Sequence, residues 1–178
     1  MRLLRGFGSR VKMRMGRGVI AALMVLCRIT PTLAADAPPR FEDYPVMHER
    51  RVAGPVVLRL SDHRLAARYR TMLRTAATRV PNFAGHYIVA AWGCGTGCTM
   101  GAVINATDGE VVWLPGTVCC ATFQMPPGTE RIAYRLESGL LILRGLLNER
   151  PETAGAHYYR IDRDHLVHLR DVAFAAPG

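Results

Sequence analysis

Lysine is nearly missing from this chain of 178 residues: Lys12 is the only one, and every later basic residue is arginine. A codon-composition bias accounts for that more simply than selection for phosphate binding. Acids are missing from the N-terminal stretch. Arg2, Arg5, Arg10, Lys12, Arg14, Arg17 and Arg28 all precede Asp36, the first acid. Setting those seven aside leaves 16 basic against 14 acidic residues, about +2 in place of the formal +9. That is an ordinary soluble surface and gives no argument for nucleic acid as a partner. Long apolar runs are also missing. Val19 to Cys27 is too short to cross a bilayer, so no stable membrane span is expected in the mature chain. There is no serine-centred nucleophile elbow, P-loop or dinucleotide fingerprint. That excludes the familiar signatures of serine hydrolases and nucleotide enzymes, and no cofactor is expected.

What the N-terminus does contain is a basic region up to Arg17, the apolar run, and small residues at Ala34-Ala35. This pattern predicts a signal peptide over 1–35, with Asp36 as the first mature residue. No adjacent arginine pair precedes the apolar run, which argues against a twin-arginine signal. A lipoprotein anchored through Cys27 is the lesser alternative, because Leu26 is a poor fit to the small residue such a signal wants. Residues 36–51 are polar and proline-rich and are expected as a flexible arm. Residues 52–178 are expected to form one domain.

The stretch around which that domain is organised is Asn82 to Cys98. His86-Tyr87-Ile88-Val89-Ala90-Ala91-Trp92 is apolar and aromatic without a breaker, and predicts a largely buried strand. Gly93-Cys94-Gly95-Thr96-Gly97-Cys98 is expected to end it, since alternating glycines permit positive φ and a curled backbone. Such a curl aims N–H groups inward as an anion nest, making Gly93, Gly95, Thr96 and Gly97 candidate binding residues. Cys119 and Cys120 follow one hairpin later. Gly85-His86-Tyr87, Trp92-Gly93-Cys94-Gly95-Thr96-Gly97-Cys98 and this cysteine pair together resemble a family of uncharacterised bacterial exported proteins. The likeness spans about 83–159. It implies export and a shared fold, and carries no catalytic residue across.

The remaining elements give a fold class of α+β: one amphipathic helix packed on a curved or partly closed antiparallel β-meander. Val52 to Leu60 reads as a strand. Ser61 or Asp62 caps a helix to about Arg79, with Leu65, Tyr69, Met72, Leu73, Ala76 and Val80 along one stripe. Arg64, Arg68, Arg70, Arg74 and Arg79 fall mainly off that stripe and read as a solvated face. Strands follow at 99–105, 110–114, 118–123, 131–136, 140–146, 157–161 and 166–174. Turns are expected at Asp108-Gly109, Pro115-Gly116, Pro126 to Gly128, Ser138-Gly139 and Asp162 to Asp164. Trp92 and Trp113 sit in apolar runs and are expected in the core.

The four cysteines left after export, of the five in the chain, predict two disulfides, with three connectivities open. Neighbours in a strand point to opposite faces, which favours cross-pairs from Cys94/Cys98 to Cys119/Cys120 over local pairs. A four-cysteine zinc domain is an alternative, weakened by the unusual Cys-Cys chelate; no metal is expected. His48, His63, His157, His165 and His168 show no metal-ligand spacing, and His165 and His168 should face opposite sides of a strand. His86 and Tyr87 are the catalytic candidates. These features favour a periplasmic, disulfide-stapled, non-enzymatic module binding an envelope protein or glycan. The alternative is a hydrolase or transferase built from His86, Tyr87 and the Gly93–Gly97 turn. A concave surface and an acid beside His86 would favour the enzyme; a ring packed under the sheet would not.

Overall fold

A computed structural model describes residues 37–47, 56–60, 64–120 and 125–175, all of one compact unit. The predicted signal peptide, the cap residues Ser61 and Asp62, and His48 and His63 lie outside the described residues.

Among the described residues eight strands form one antiparallel sheet: β1 (Tyr87–Gly95), β2 (Cys98–Asn105), β3 (Val111–Trp113), β4 (Val118–Cys119), β5 (Ile132–Arg135), β6 (Ser138–Leu147), β7 (Gly155–Asp162) and β8 (His165–Ala173). The main path runs β1-β2-β4-β6-β7-β8, with β3 beside β2 and β5 beside β6. The sheet does not close; β1 and β8 are its two ends. The period-two alternation of β1 explains its two-sided burial. Ile88 and Ala90 join Ala102, Ile104, Leu73 and Ala76 in one apolar cluster, under the helical segment. Tyr87 and Val89 face the other way. They pack with Val103, Val118, Leu141, Leu143, Tyr159 and Phe83, so side chains from both halves of the sheet share one core.

The expected single helix is two short pieces, α1 (Arg64–Arg68) and α2 (Arg70–Ala76). Tyr69 breaks the run with φ −106° and ψ 19°, outside helical values. Its ring lies 5.2 Å from that of Trp92 and 6.3 Å from that of Trp113, an aromatic anchor that holds the break against the sheet. Leu73 and Ala76 are buried as the stripe predicts, but Met72 and Val80 are exposed. The helix stops at Ala77, whose N–H bonds the Leu73 carbonyl, before the predicted Arg79. Arg64, Arg68, Arg70, Arg74 and Arg79 are all exposed.

Two other segments depart from expectation. Val56–Leu60 joins no strand ladder, although its alternating side chains Val56, Leu58 and Leu60 pack against α2 and β1–β2. Residues 37–47, expected as part of a flexible arm, dock on the β5–β6 hairpin. Val46 N–H bonds the Glu137 carbonyl, Ser138 Oγ donates to the Phe41 carbonyl at 2.7 Å, and the Arg135 guanidinium lies 4.6 Å over the Phe41 ring. Ser138-Gly139, expected as a turn, belongs to β6; Leu136-Glu137 turns the chain instead.

Candidate functional site

His86 and Tyr87 stand where a tight loop becomes β1. Ala84 and Gly85 both take left-handed φ, 43° and 79°, which reverses the chain between Phe83 and Tyr87. The loop is fastened to the β5–β6 turn: Ala84 N–H bonds the Arg135 carbonyl and Gly85 N–H the Leu136 carbonyl at 2.7 Å. His86 is thereby held in the wall of a cavity of about 310 Å³, with Ala84, Tyr87, Ile161, Asp162 and Arg163. Its half-buried ring stacks on that of Tyr87 at 4.2 Å. His86 is therefore on a concave surface with an acid in the same wall, and not packed under the sheet.

Tyr87 is committed inward. Burial first, and then the nearby Asp164 carboxylate, push its phenol well above the ordinary pKa. Asp164 Oδ1 accepts from Asn105 Nδ2 at 2.9 Å, and Asn105 Oδ1 in turn accepts from Thr107 N–H and Oγ1. Asp164 owes its position to a two-residue turn between β7 and β8. Arg163 and Asp164 both have left-handed φ, 43° and 60°, the twist that a two-residue hairpin prefers but that usually calls for Asn-Gly. The hydrogen bond from Asn105 holds Asp164 in that conformation. Asp162 is paired with Arg160 at 3.1 Å and with Arg163 at 3.8 Å.

The glycine-rich turn is at the other end of β1. Tyr87 to Gly95 is one strand, so Gly93 lies roughly 23 Å from His86 at about 3.3 Å per residue. The structure does not bring His86, Tyr87 and Gly93–Gly97 together. Nor do the glycines end the strand at Trp92. β1 continues to Gly95 across a register shift between Gly93 and Gly95, and only Thr96-Gly97 turns the chain. Gly93, Gly95, Thr96 and Gly97 are exposed at this tip, and the Gly97 carbonyl accepts from Arg131 Nη1.

The cysteines pair locally. Cys94 is bonded to Cys98 and Cys119 to Cys120, with Cα atoms 5.1 and 3.7 Å apart, which corrects the expected cross-pairing. The objection to a vicinal bond assumed that both residues stay in the strand. β4 ends at Cys119, and Cys120 turns left-handed with φ 71°, so period-two geometry no longer separates the side chains. In these bonds no cysteine offers a thiolate to zinc. Among the described residues no group of three or more His, Cys, Asp or Glu side chains is arranged to hold a metal ion, and no helix is long and apolar enough to cross a membrane.

One polar cluster escaped the sequence reading. His157, 3% exposed, bonds Asp171 Oδ1 through Nδ1 at 2.8 Å, and His168 Nε2 meets the same oxygen at 2.8 Å. His168 and Asp171 are three apart and should face opposite sides of a regular strand. A bulge opposite Tyr158–Tyr159 pairs Tyr159 with His168 and His157 with Asp171, and so places all of them on one face. Burial alone would raise the Asp171 pKa, but hydrogen bonds from His168 and His157 hold it below the ordinary value. Only a period-breaking signal in 165–173 would have revealed this cluster, and none is present in the residue pattern.

Trp92 and Trp113 are half-buried beside Tyr69 in the cluster under the helical segment, and Trp92 Nε1 is buried without a hydrogen-bond partner. Comparison with known proteins finds no matching family model, no similar curated protein and no similar solved structure.

Proposed function

We propose that this protein is an exported, disulfide-stapled binding module of the bacterial envelope, and that it takes a glycan at the His86 cavity. The resemblance to bacterial exported proteins and the basic–apolar–small pattern of residues 1–35 support the export reading. The observation that carries the binding reading is the cavity wall itself. A rigid His86–Tyr87 ring pair adjoins the charged fork of Asp162 and Arg163 in a concavity of about 310 Å³. Apolar ring faces beside planar hydrogen-bonding groups suit a sugar, which has apolar C–H faces and hydroxyls at its rim. Asp164 and Tyr87 are engaged with each other and serve as scaffold.

Titration with soluble envelope glycan fragments tests this. Binding is expected, with affinity lowered about tenfold or more by Arg163→Ala, on the order of one lost charged hydrogen bond. No binding by wild type, or equal binding by the variant, overturns the glycan assignment.

The second reading, a hydrolase or transferase, is favoured by the placement of His86 on a concave surface with Asp162 in the same wall. It requires glycan turnover that His86→Ala abolishes; binding without product opposes it.

A further inference from the structure

The four sulfurs lie closer to one another than their pairing suggests. β2 and β4 are antiparallel neighbours, with Thr99 opposite Val118. Cys98 and Cys119 are the next residues along these two strands, and continuing the antiparallel pairing by one step would set them on one face. Regular opposed pairs have Cα atoms about 4.5–5.5 Å apart, within the roughly 4.4–6.8 Å that a disulfide spans. Cys98 and Cys119 are both buried, while Cys94 and Cys120 are both exposed. Each existing bond thus joins one inner sulfur to one outer sulfur, and the two inner sulfurs belong to adjacent strands, each next to the registered Thr99–Val118 pair. β4 is seated tightly here: a Cβ on Gly145 of β6 would come within 2.6 Å of the Cys119 carbonyl oxygen.

We propose that these cysteines form a single thiol–disulfide exchange centre, in which reduction at the exposed Cys94–Cys98 tip is passed to Cys119–Cys120 through a Cys98–Cys119 bond. A thiolate of an external dithiol attacks exposed Cys94 Sγ, and Cys98 leaves as a thiolate. Cys98 Sγ attacks Cys119 Sγ, the Cys98–Cys119 bond forms, and Cys120 leaves as a thiolate. The second thiol of the dithiol then attacks its own mixed disulfide and releases Cys94. The dithiol becomes a disulfide. Its two electrons and two protons end on Cys94 and Cys120, and two protein disulfides become one. Release of Cys120 also frees a non-glycine residue from left-handed φ, which favours the exchanged product. The centre is independent of the His86 cavity and of any glycan.

Partial reduction tests the proposal on the full wild-type chain, scored at Cys94, Cys98, Cys119 and Cys120 alone; Cys27 lies outside the centre and is left out of the count. The protein is treated with one equivalent of dithiothreitol, quenched at acid pH, alkylated, and mapped without further reduction. The species with two alkylated cysteines should carry them on Cys94 and Cys120, with the Cys98 and Cys119 peptides joined. Alkylation confined to Cys94 plus Cys98, or to Cys119 plus Cys120, with the other original bond intact, overturns it. Cys120→Ser provides a second arm. Its unpaired Cys119 should capture Cys98 and leave Cys94 as the only alkylated cysteine. A surviving Cys94–Cys98 bond beside an alkylated Cys119 refutes the exchange.

Discussion

Tyr87, the first residue of β1, interacts with the Asp164 carboxylate in the turn between β7 and β8, and removing its hydroxyl has a calculable outcome. Tyr87 is 6% exposed, so its hydroxyl has no ready access to water when the carboxylate is taken away. A buried hydroxyl that donates to a charged group contributes about 1.5–3 kcal/mol, which sets the upper bound on what Tyr87→Phe should lose. Asp164→Ala removes the carboxylate that meets Tyr87 and accepts from Asn105, and keeps a side chain at φ 60°. Asp164→Gly removes the same carboxylate but relieves the left-handed penalty, so it should be more stable than the alanine variant by about 1 kcal/mol. In the Asp164→Gly background, Tyr87→Phe should cost less than about 0.5 kcal/mol, since the partner is already gone. Urea unfolding with an unchanged denaturant slope is the assay. Additive losses from Tyr87→Phe and Asp164→Gly would refute the coupling. The raised phenol pKa adds a pH signature. Its folded value lies above the unfolded value of about 10, so the stabilisation is complete below pH 10 and is lost as pH rises beyond it. Tyr87→Phe should remove that part of the alkaline decline.

Leu73 is fully buried under the sheet, and Leu73→Asp should cost roughly 3–5 kcal/mol or unfold the domain, whereas exposed Arg74→Ala should stay within about 0.5 kcal/mol by thermal melting. Asp171 has a lowered pKa, so its contribution is present above the unfolded value near 3.9 and is lost as pH falls through the lower folded value; Asp171→Asn should flatten the acid limb of a stability–pH curve, and an unchanged limb would contradict the His157–Asp171–His168 assignment. Reduction should lower the melting temperature while chelators leave it unchanged. The short loop closed by Cys94–Cys98 contributes only about 2 kcal/mol, so full unfolding on reduction at room temperature would show that the sulfurs carry more than loop closure. Mature protein recovered from the envelope should begin near Asp36, and an intact Met1 or Met13 terminus there would remove the export reading.

The strands were legible wherever local pattern and tertiary context agreed. Val111–Trp113, Ile132–Arg135 and Gly155–Asp162 fall within or around the expected runs, because apolar and β-branched residues bounded by turn formers have few other ways to bury their side chains. The helix was legible only in part. Leu73 and Ala76 follow the 3.6-residue period into the core, but the break at Tyr69 depends on Trp92 and Trp113, which come from β1 and β3. Cavity residues Asp162 and Arg163 and the paired acid Asp164 were visible only as a turn. Their place beside His86 and Tyr87 depends on the β7–β8 hairpin reaching back to the start of β1, a non-local arrangement that no spacing encodes.

The two failures of period-two reasoning have a common cause. Alternation assigns faces correctly only while each residue adds one step to the ladder. At Tyr158–Tyr159 the partner strand contributes an extra residue, and His168 and Asp171 arrive on the same side. At Cys120 the ladder has already ended and φ has changed sign, so neighbouring sulfurs meet. Both irregularities sit where polar or redox-active groups are gathered, and neither has a glycine or proline to mark it in the sequence. A left-handed φ at a non-glycine residue costs on the order of 1–3 kcal/mol and persists only where its surroundings hold it. At Cys120 the disulfide supplies that constraint, and at Asp164 the bond from Asn105 does. The Cys120 case has a direct consequence. Once the vicinal bond is opened, that constraint on residue 120 is gone, and a non-glycine residue favours return to negative φ. The exchange centre would then carry a change of sulfur partner into a change of backbone.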